Sequence, residues 1–154
     1  MPVKEYPEDI FDAPVQTITC PVNTEGAMGA GLALKFREVV PGLYTAYRNA
    51  CRSGELNPTK LWVYPWPGRN QQVLCFPTKI KWRNFSSPDM LHRNLLRLVR
   101  DYEDLGITSL AIPPLGAGLG GLDYQSQVRD MVFEVLDDLP FEVRVCFGYN
   151  NFRI

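Results

Sequence analysis

Four glycines fall within six residues at Gly116, Gly118, Gly120 and Gly121. Glycine takes φ > 0 readily and lets a ligand approach the main chain closely. An apolar run over residues 109–112 precedes these glycines, and two prolines stop it. A helical pattern follows from Asp123, with Val128, Met131, Val132 and Val135 at i, i+3, i+4 and i+7. Strand, glycine loop, helix is the layout of a phosphate cradle, in which unpaired N–H groups and the positive end of the helix dipole meet an anion. A plain left-handed turn before a helix needs only one or two glycines, so four favour a ligand. A second such loop, Gly26-Ala27-Met28-Gly29-Ala30-Gly31, follows another expected strand and precedes a helix carrying Leu32, Leu34, Phe36 and Val39. Taken singly it reads equally as close helix–strand packing. Two in one small chain point to a ligand with two phosphates.

The elements that position these loops can be read in order. Residues 1–14 hold three prolines and read as irregular. Strands are expected over 15–20, 61–64, 72–76, 108–112 and 141–147. Pro21 and Pro77 read as strand ends, which leaves 78–88 as a loop with Lys79, Lys81 and Arg83 around Trp82. Helices are expected from Gly31 to Pro41, over 43–52, from Ser87-Pro88 to Gly106, and over 123–138. Leu91, Leu95, Leu98, Val99 and Tyr102 form the buried stripe of the third. The alternation predicts an α/β fold, a three-layer α/β/α sandwich around a mixed, mostly parallel sheet. Ligands of such sheets bind at the carboxyl ends of the strands, so both glycine loops and the Lys79 loop should meet on one rim.

At 154 residues the chain is expected to be one domain with its own core. Its 45% apolar and 21% charged residues are those of a soluble globular protein. A net charge of −1 gives no general pull toward nucleic acid or anionic membrane. Any phosphate is therefore expected on backbone N–H groups rather than on a basic surface. The start of the chain lacks the apolar stretch of a signal peptide, and no apolar run is long enough to span a bilayer. Cys20, Cys51, Cys75 and Cys146 are far apart, with no CxxC, and three lie in expected strands. Free thiols in a reducing cytoplasm are expected, with no metal site and no cofactor.

Gly116-x-Gly118-x-x-Gly121 formally matches a dinucleotide fingerprint, but it stands late in the chain, and the next strand lacks the acidic residue that holds a ribose. Neither loop has the Gly-Lys-Ser/Thr of a P-loop. Three ordered blocks carry a resemblance instead. They are Pro21-Val22-Asn23-Thr24-x-Gly26-x-Met28-Gly29-x-Gly31-Leu32-Ala33, Phe76-Pro77-Thr78-Lys79-x-x-Trp82-Arg83, and Pro113-Pro114-Leu115-Gly116-x-Gly118-Leu119-Gly120-Gly121-Leu122-Asp123. Together they resemble a macrodomain spanning residues 1–154, and within that family the DarG antitoxin branch, whose members remove ADP-ribose from DNA bases.

The resemblance implies ADP-ribose as ligand and assigns roles. Asp9 and Ile10 match the pair that contacts adenine. Asn23 matches the asparagine near the distal ribose. Gly26, Met28, Gly29 and Gly31 belong to the loop over that ribose and the phosphates. Leu115, Gly116, Ala117, Gly118, Leu119, Gly120, Gly121 and Leu122 match the loop that wraps the diphosphate. Lys79 of the Thr78-Lys79 pair matches a lysine implicated in catalysis. The chain departs from the pattern at Cys20, where asparagine is usual, at Lys81, where histidine is usual, and at Tyr124, where tryptophan is usual. Glu8 replaces a glycine. Gly120 aligns with a catalytic aspartate of a human relative, which leaves the acid–base partner unassigned.

The implied reaction cleaves a bond at C1 of the distal ribose. Lys79 is expected as nucleophile or as electrostatic activator of the leaving group. As a nucleophile it must be neutral, and repulsion from Lys81 and Arg83 or burial beside Trp82 would lower its pKa. Asp123 reads equally as a general base or a helix N-cap. Tyr149, Asn150 and Asn151 line the distal pocket or form a C-terminal turn, and Met28 covers the ribose or fills the core. His92 is expected on an exposed helix face with no role. The 79–83 turn touches a nucleic-acid backbone or is a solvated loop. The substrate implied is ADP-ribosylated DNA, specifically thymidine, or protein, with a cognate DNA ADP-ribosyltransferase toxin as partner and no membrane. A non-catalytic ADP-ribose reader and a hydrolase of an ADP-ribose phosphate are the competing readings.

Overall fold

The computed structural model describes residues 2–148. One six-stranded sheet contains β1 (Val3–Tyr6), β2 (Thr17–Asn23), β3 (Trp62–Pro65), β4 (Gln72–Lys79), β5 (Leu110–Ile112) and β6 (Val143–Cys146), in the order β1-β6-β5-β2-β4-β3. All pairings are parallel except that of β3 with β4. The helices are α1 (Gly31–Val39), α2 (Leu43–Ser53), α3 (Pro88–Asp101) and α4 (Arg129–Leu136).

β4 shows how the layers form. Val73 and Cys75 face one side, with Phe36 of α1 and Leu43 and Tyr47 of α2. Leu74 and Phe76 face the other, with Leu91, Leu95 and Leu98 of α3 and Val132 and Leu136 of α4. Both faces are covered, so the inner strand β2 is buried on both sides rather than alternating with solvent. The three-layer fold with a mixed, mostly parallel sheet is the one its sequence predicts. As expected, Ser87 Oγ accepts the Met90 N–H at 3.3 Å, Pro88 opens α3, and His92 is exposed. The four cysteines are free, and Cys20, Cys75 and Cys146 are buried in strands. Among the described residues no helix is long and apolar enough to cross a membrane.

Four local expectations need correction. The start of the chain is not all irregular, because Val3–Tyr6 pairs in parallel with β6 as an edge strand. It is short and charged, with Lys4 bridged to Glu142 and Glu5 to Arg129, so it has the marks of a guarded edge and lacks a strand's apolar pattern. The second correction concerns β2 and β4, which run through Pro21 and Pro77 rather than stopping there. A register shift lies between Val22 and Asn23, where Pro77 and then Lys79 are the β4 partners, and Asn94 Nδ2 donates to the Pro77 carbonyl at 2.9 Å. β5 pairs with β2 only at Thr17 and Ile18, and β3 with β4 only as far as Cys75, so each proline lies where its strand has no paired neighbour on one side, an edge position that tolerates proline. Third, the last helix does not begin at Asp123. A wide π-type turn, Tyr124–Val128, comes first and α4 starts at Arg129. Finally, β6 begins at Val143 rather than Phe141, because Phe141 turns onto Tyr102 with ring centroids 5.7 Å apart.

The connections from two adjacent strands diverge. From β2 the chain passes to α1 on one face, and from β5 it leads to α4 on the other. Divergence between neighbouring parallel strands opens a crevice at their carboxyl ends.

Candidate functional site

A cavity of about 360 Å³ occupies that crevice. Its wall draws on Pro21 to Asn23 at the end of β2, Gly29 to Ala33 at the start of α1, Thr78 and Lys79 at the end of β4, and Pro113, Pro114 and Gly116 to Gly120 after β5. The predicted meeting of both glycine loops and Lys79 on one rim is what the structure shows.

The first loop is shaped by one side chain. Asn23 Oδ1 accepts the backbone N–H groups of Glu25, Gly26 and Ala27 at 3.2, 3.0 and 3.1 Å. Its amide nitrogen donates to the Ala27 carbonyl at 2.8 Å, which leaves a second amide hydrogen uncommitted among the described residues. The buried Tyr47 hydroxyl donates to the Asn23 carbonyl at 2.6 Å. Burial raises the Tyr47 pKa, so it stays a neutral donor. This knot delivers the chain to α1 with Ala30 as N-cap, and Ala30 has no side-chain oxygen to satisfy the first N–H groups. The helix therefore presents free donors and its positive dipole end to the cavity.

The second loop is shaped by its backbone. Gly116, Gly118 and Gly121 have φ of +77°, +61° and +76°. Ala117, Gly120, Gly121 and Leu122 each donate a backbone bond inside the loop or to Pro114. The N–H groups of Gly118 and Leu119 have no acceptor among the described residues. Leu119 reaches across to α1, where a Cβ on Gly31 would lie 3.1 Å from Leu119 Cδ1. The two loops thus nearly meet above the cavity.

The segment between β4 and α3 ties them together. Thr24 N–H donates to the Ile80 carbonyl at 3.0 Å and Trp82 N–H to Glu25 at 3.1 Å, which joins it to the first loop. Ser86 N–H donates to the Gly120 carbonyl at 2.8 Å, which joins it to the second. Three buried side-chain oxygens among the described residues lack a partner, those of Thr19, Ser86 and Tyr124, and only Ser86 lines the cavity. Sequence reasoning misses Ser86. Its only signal there is Ser86-Ser87 at a helix start, and Ser87 takes the cap. A Cβ on Gly120 would lie 2.5 Å from Ser86 Oγ, so any side chain at 120 requires Ser86 to shift.

Lys79 is the last residue of β4, beside Asn23 of β2, rather than part of the following loop. It is half-buried and lines the cavity with Thr78 and Trp82. Its pKa is lowered, and the cause is burial rather than the neighbouring cations Lys81 and Arg83. It has no ion pair among the described residues. Thr78 donates its hydroxyl to the Val22 carbonyl at 3.4 Å and fastens this strand end to β2.

Other expected residues lie elsewhere. Met28 is 1% exposed and packs in the core, so it fills rather than covers. Ile10 and Leu115 are wholly buried. Gly26, Gly121 and Leu122 do not line the cavity. Asp9 caps its own turn by accepting the Phe11 N–H at 2.9 Å, and Glu8, in place of a glycine, pairs with Arg144 at 2.9 Å. Asp123 is exposed, does not line the cavity and accepts from Ser126 Oγ at 2.7 Å. Tyr149, Asn150 and Asn151 lie outside the described residues. No group of acidic, histidine or cysteine residues that could hold a metal occurs among the described residues.

The Macro domain family model matches residues 20–131. A DNA ADP-ribosyl glycohydrolase of Thermus aquaticus is 36% identical over 133 residues, covering 85% of this chain and 37% of that protein. The chain thus spans less than two fifths of the length of that curated relative. Among solved structures, the macrodomain of Thermus aquaticus DarG superposes with a TM-score of 0.85 at 35% identity, covering 94% of this chain and 97% of that one. Thermosipho africanus DarTG in complex with ADP-ribose superposes with a TM-score of 0.88 at 32% identity, covering 94% of this chain and 41% of that one.

Proposed function

The chain belongs to the macrodomain family, and from that premise we propose that it is an ADP-ribosyl hydrolase that frees ADP-ribose from modified DNA bases, thymidine foremost, with Lys79 acting at the distal ribose. One observation carries this reading. A half-buried lysine of lowered pKa shares a cavity with two sets of free backbone donors suited to a diphosphate. The diphosphate is assigned to the uncapped start of α1 and the Gly118 and Leu119 N–H groups, with Ser86 Oγ as a further donor. Asn23 and Lys79 face the distal ribose, and adenine goes to the Asp9–Ile10 turn. The DarG branch supplies the expected partner, a cognate DNA ADP-ribosyltransferase.

In the nucleophilic form the neutral Lys79 amine forms a bond to C1 of the distal ribose. The bond from C1 to the base nitrogen breaks, and that nitrogen takes the electron pair and then a proton. Ring opening gives a Schiff base, which water hydrolyses to ADP-ribose and free lysine. In the alternative form the ammonium stabilises the departing base and water attacks directly.

The pH profile separates the two. An ordinary lysine titrates near about 10.4, and burial places Lys79 below that. For an amine nucleophile, release rises with pH up to the lowered pKa and is level above it. For an ammonium, release falls through the same range. Lys79→Ala is expected to lose on the order of 10³-fold in release from ADP-ribosylated single-stranded DNA, with ADP-ribose affinity kept in calorimetry. Full activity in that variant, with no adduct trapped by borohydride in the wild type, would end the lysine assignment. Release only from a glutamate-linked protein substrate would change the target, and tight ADP-ribose binding without release from either would make the chain a reader.

A further inference from the structure

A second cavity, of about 270 Å³, adjoins the first and shares Ala27 and Trp82 with it. We propose that this cavity is a phosphodiester subsite, in which Arg48 and Arg52 hold the polynucleotide strand next to the modified nucleotide while Trp82 stacks a base between the two cavities. The proposal rests on the hydrolase reading above and adds where the strand lies.

The cations are placed for a partner they do not have. Arg48 and Arg52 stand one turn apart on the same face of α2. Two like charges at that spacing repel each other, and no carboxylate pairs with either among the described residues. Glu25 lines the same cavity and brings one negative charge against the two arginines; its Oε2 accepts the Trp82 backbone N–H at 3.1 Å, which fixes the carboxylate toward the Trp82 side. The stem of Arg48 is steered by packing, since a Cβ on Gly26 would lie 3.7 Å from Arg48 Cγ. Its guanidinium is 5.4 Å from the centre of the Tyr44 ring, which Arg37 approaches at 3.9 Å. Lys81 and Arg83 extend the patch, with Arg83 5.1 Å from the Trp82 ring centre. The ion pairs among the described residues use Lys4, Arg93, Arg100, Arg129 and Arg144 and none of these cations. Arg48, Arg52, Lys81 and Arg83 thus gather beside the site without an ion pair among the described residues, while Lys60, Arg69 and Arg97, equally without one, line neither cavity.

The exposed apolar side chains choose the occupant. Trp82 is 52% and Phe85 78% exposed, both on the segment that bridges the two glycine loops. Aromatic platforms beside a positive groove suit successive unstacked bases and their phosphates. A duplex would hold its modified base inside the stack, so the geometry fits a single strand. An acidic polypeptide would use the arginines and leave the aromatic platforms idle.

The test compares wild type with Arg48→Ala/Arg52→Ala on three ligands. They are ADP-ribose by calorimetry, ADP-ribosylated thymidine as a mononucleoside, and an ADP-ribosylated single-stranded oligonucleotide. The double variant is expected to lose roughly tenfold in kcat/KM on the oligonucleotide alone, with the salt dependence flattened by about 0.7 for each phosphate that the arginines no longer neutralise. Arg48→Lys/Arg52→Lys should recover most of the salt slope. Equal activity of the double variant and wild type on the oligonucleotide would overturn the proposal, as would equal losses on nucleoside and oligonucleotide, or an equal loss on a protein-linked substrate. If wild type releases nothing, the hydrolase reading fails, and the same pair is compared for binding of the modified oligonucleotide against ADP-ribose. A preference for the oligonucleotide that vanishes in the double variant would then support the subsite, and no preference would end it.

Discussion

The two glycine loops look alike in sequence and are built on different principles. The first is held from outside, by the Asn23 side chain and the Tyr47 hydroxyl, and it feeds an uncapped helix that opens on the cavity. The second is held by its own backbone, with three left-handed glycines and internal hydrogen bonds, and it passes into a π-type turn that does not line the cavity. The helix-end donors that both loops promised are delivered by one of them. The other contributes loop N–H groups and a contact across to Gly31. A glycine-rich stretch before a helix is therefore not by itself an anion site. The turn that succeeds the glycines and the residue that caps the helix decide.

The contrast can be broken most forcefully at Gly116. There φ is +77° and a Cβ would lie 2.6 Å from Leu122 Cδ1 and 3.0 Å from Leu91 Cδ1. Gly116→Val is expected to cost about 2–5 kcal/mol from left-handed strain and overpacking. Denaturant midpoints read this directly, and an unchanged midpoint would mean that the backbone is not what holds the second loop.

Tyr47→Phe attacks the first loop from its external support. Removing the hydroxyl leaves the buried Asn23 carbonyl short of a partner, for about 1–3 kcal/mol. Affinity for ADP-ribose should fall with it, because the start of α1 is no longer held. Loss of stability with ADP-ribose affinity intact would show that the knot serves folding alone.

Ala30→Asp gives α1 the cap it lacks. It is expected to stabilise the fold by about 1 kcal/mol and to weaken ADP-ribose binding, since its carboxylate takes the donors meant for the ligand. Opposite signs in thermal melts and calorimetry are the signature. Asp123→Ala at the second loop should leave binding unchanged, and a matching loss there would erase the distinction between the loops. Ser86→Ala has the smallest expected effect on stability, because its hydroxyl has no partner to lose among the described residues. A fall in ADP-ribose affinity without a fall in melting temperature would assign that hydroxyl to the ligand.

Much of this was legible in the chain itself. Helix–strand alternation announced the layers, and the Ser87-Pro88 start and leucine stripe of α3 stand as expected. The three blocks marked the cavity wall. Strand β1 was hidden because its four residues, two of them charged, have no apolar pattern of their own, and only pairing with β6, far along the chain, makes them a strand. Pro21 and Pro77 read as terminators because the rule for proline is local, whereas what accommodates them is where the neighbouring strands β5 and β3 stop pairing.

Sequence alone determined what acts within a few residues. It set where glycine permits a left-handed turn, where serine caps a helix, and which helix faces are apolar. Tertiary structure decided which helix end meets the cavity, that Met28 is core and Ser86 is wall, and that burial rather than neighbouring charge lowers the Lys79 pKa. Propensity and capping depend on the nearest bonds, whereas desolvation and an unpartnered hydroxyl depend on which distant segments close around an atom. Those segments are brought together only when the strand ends align.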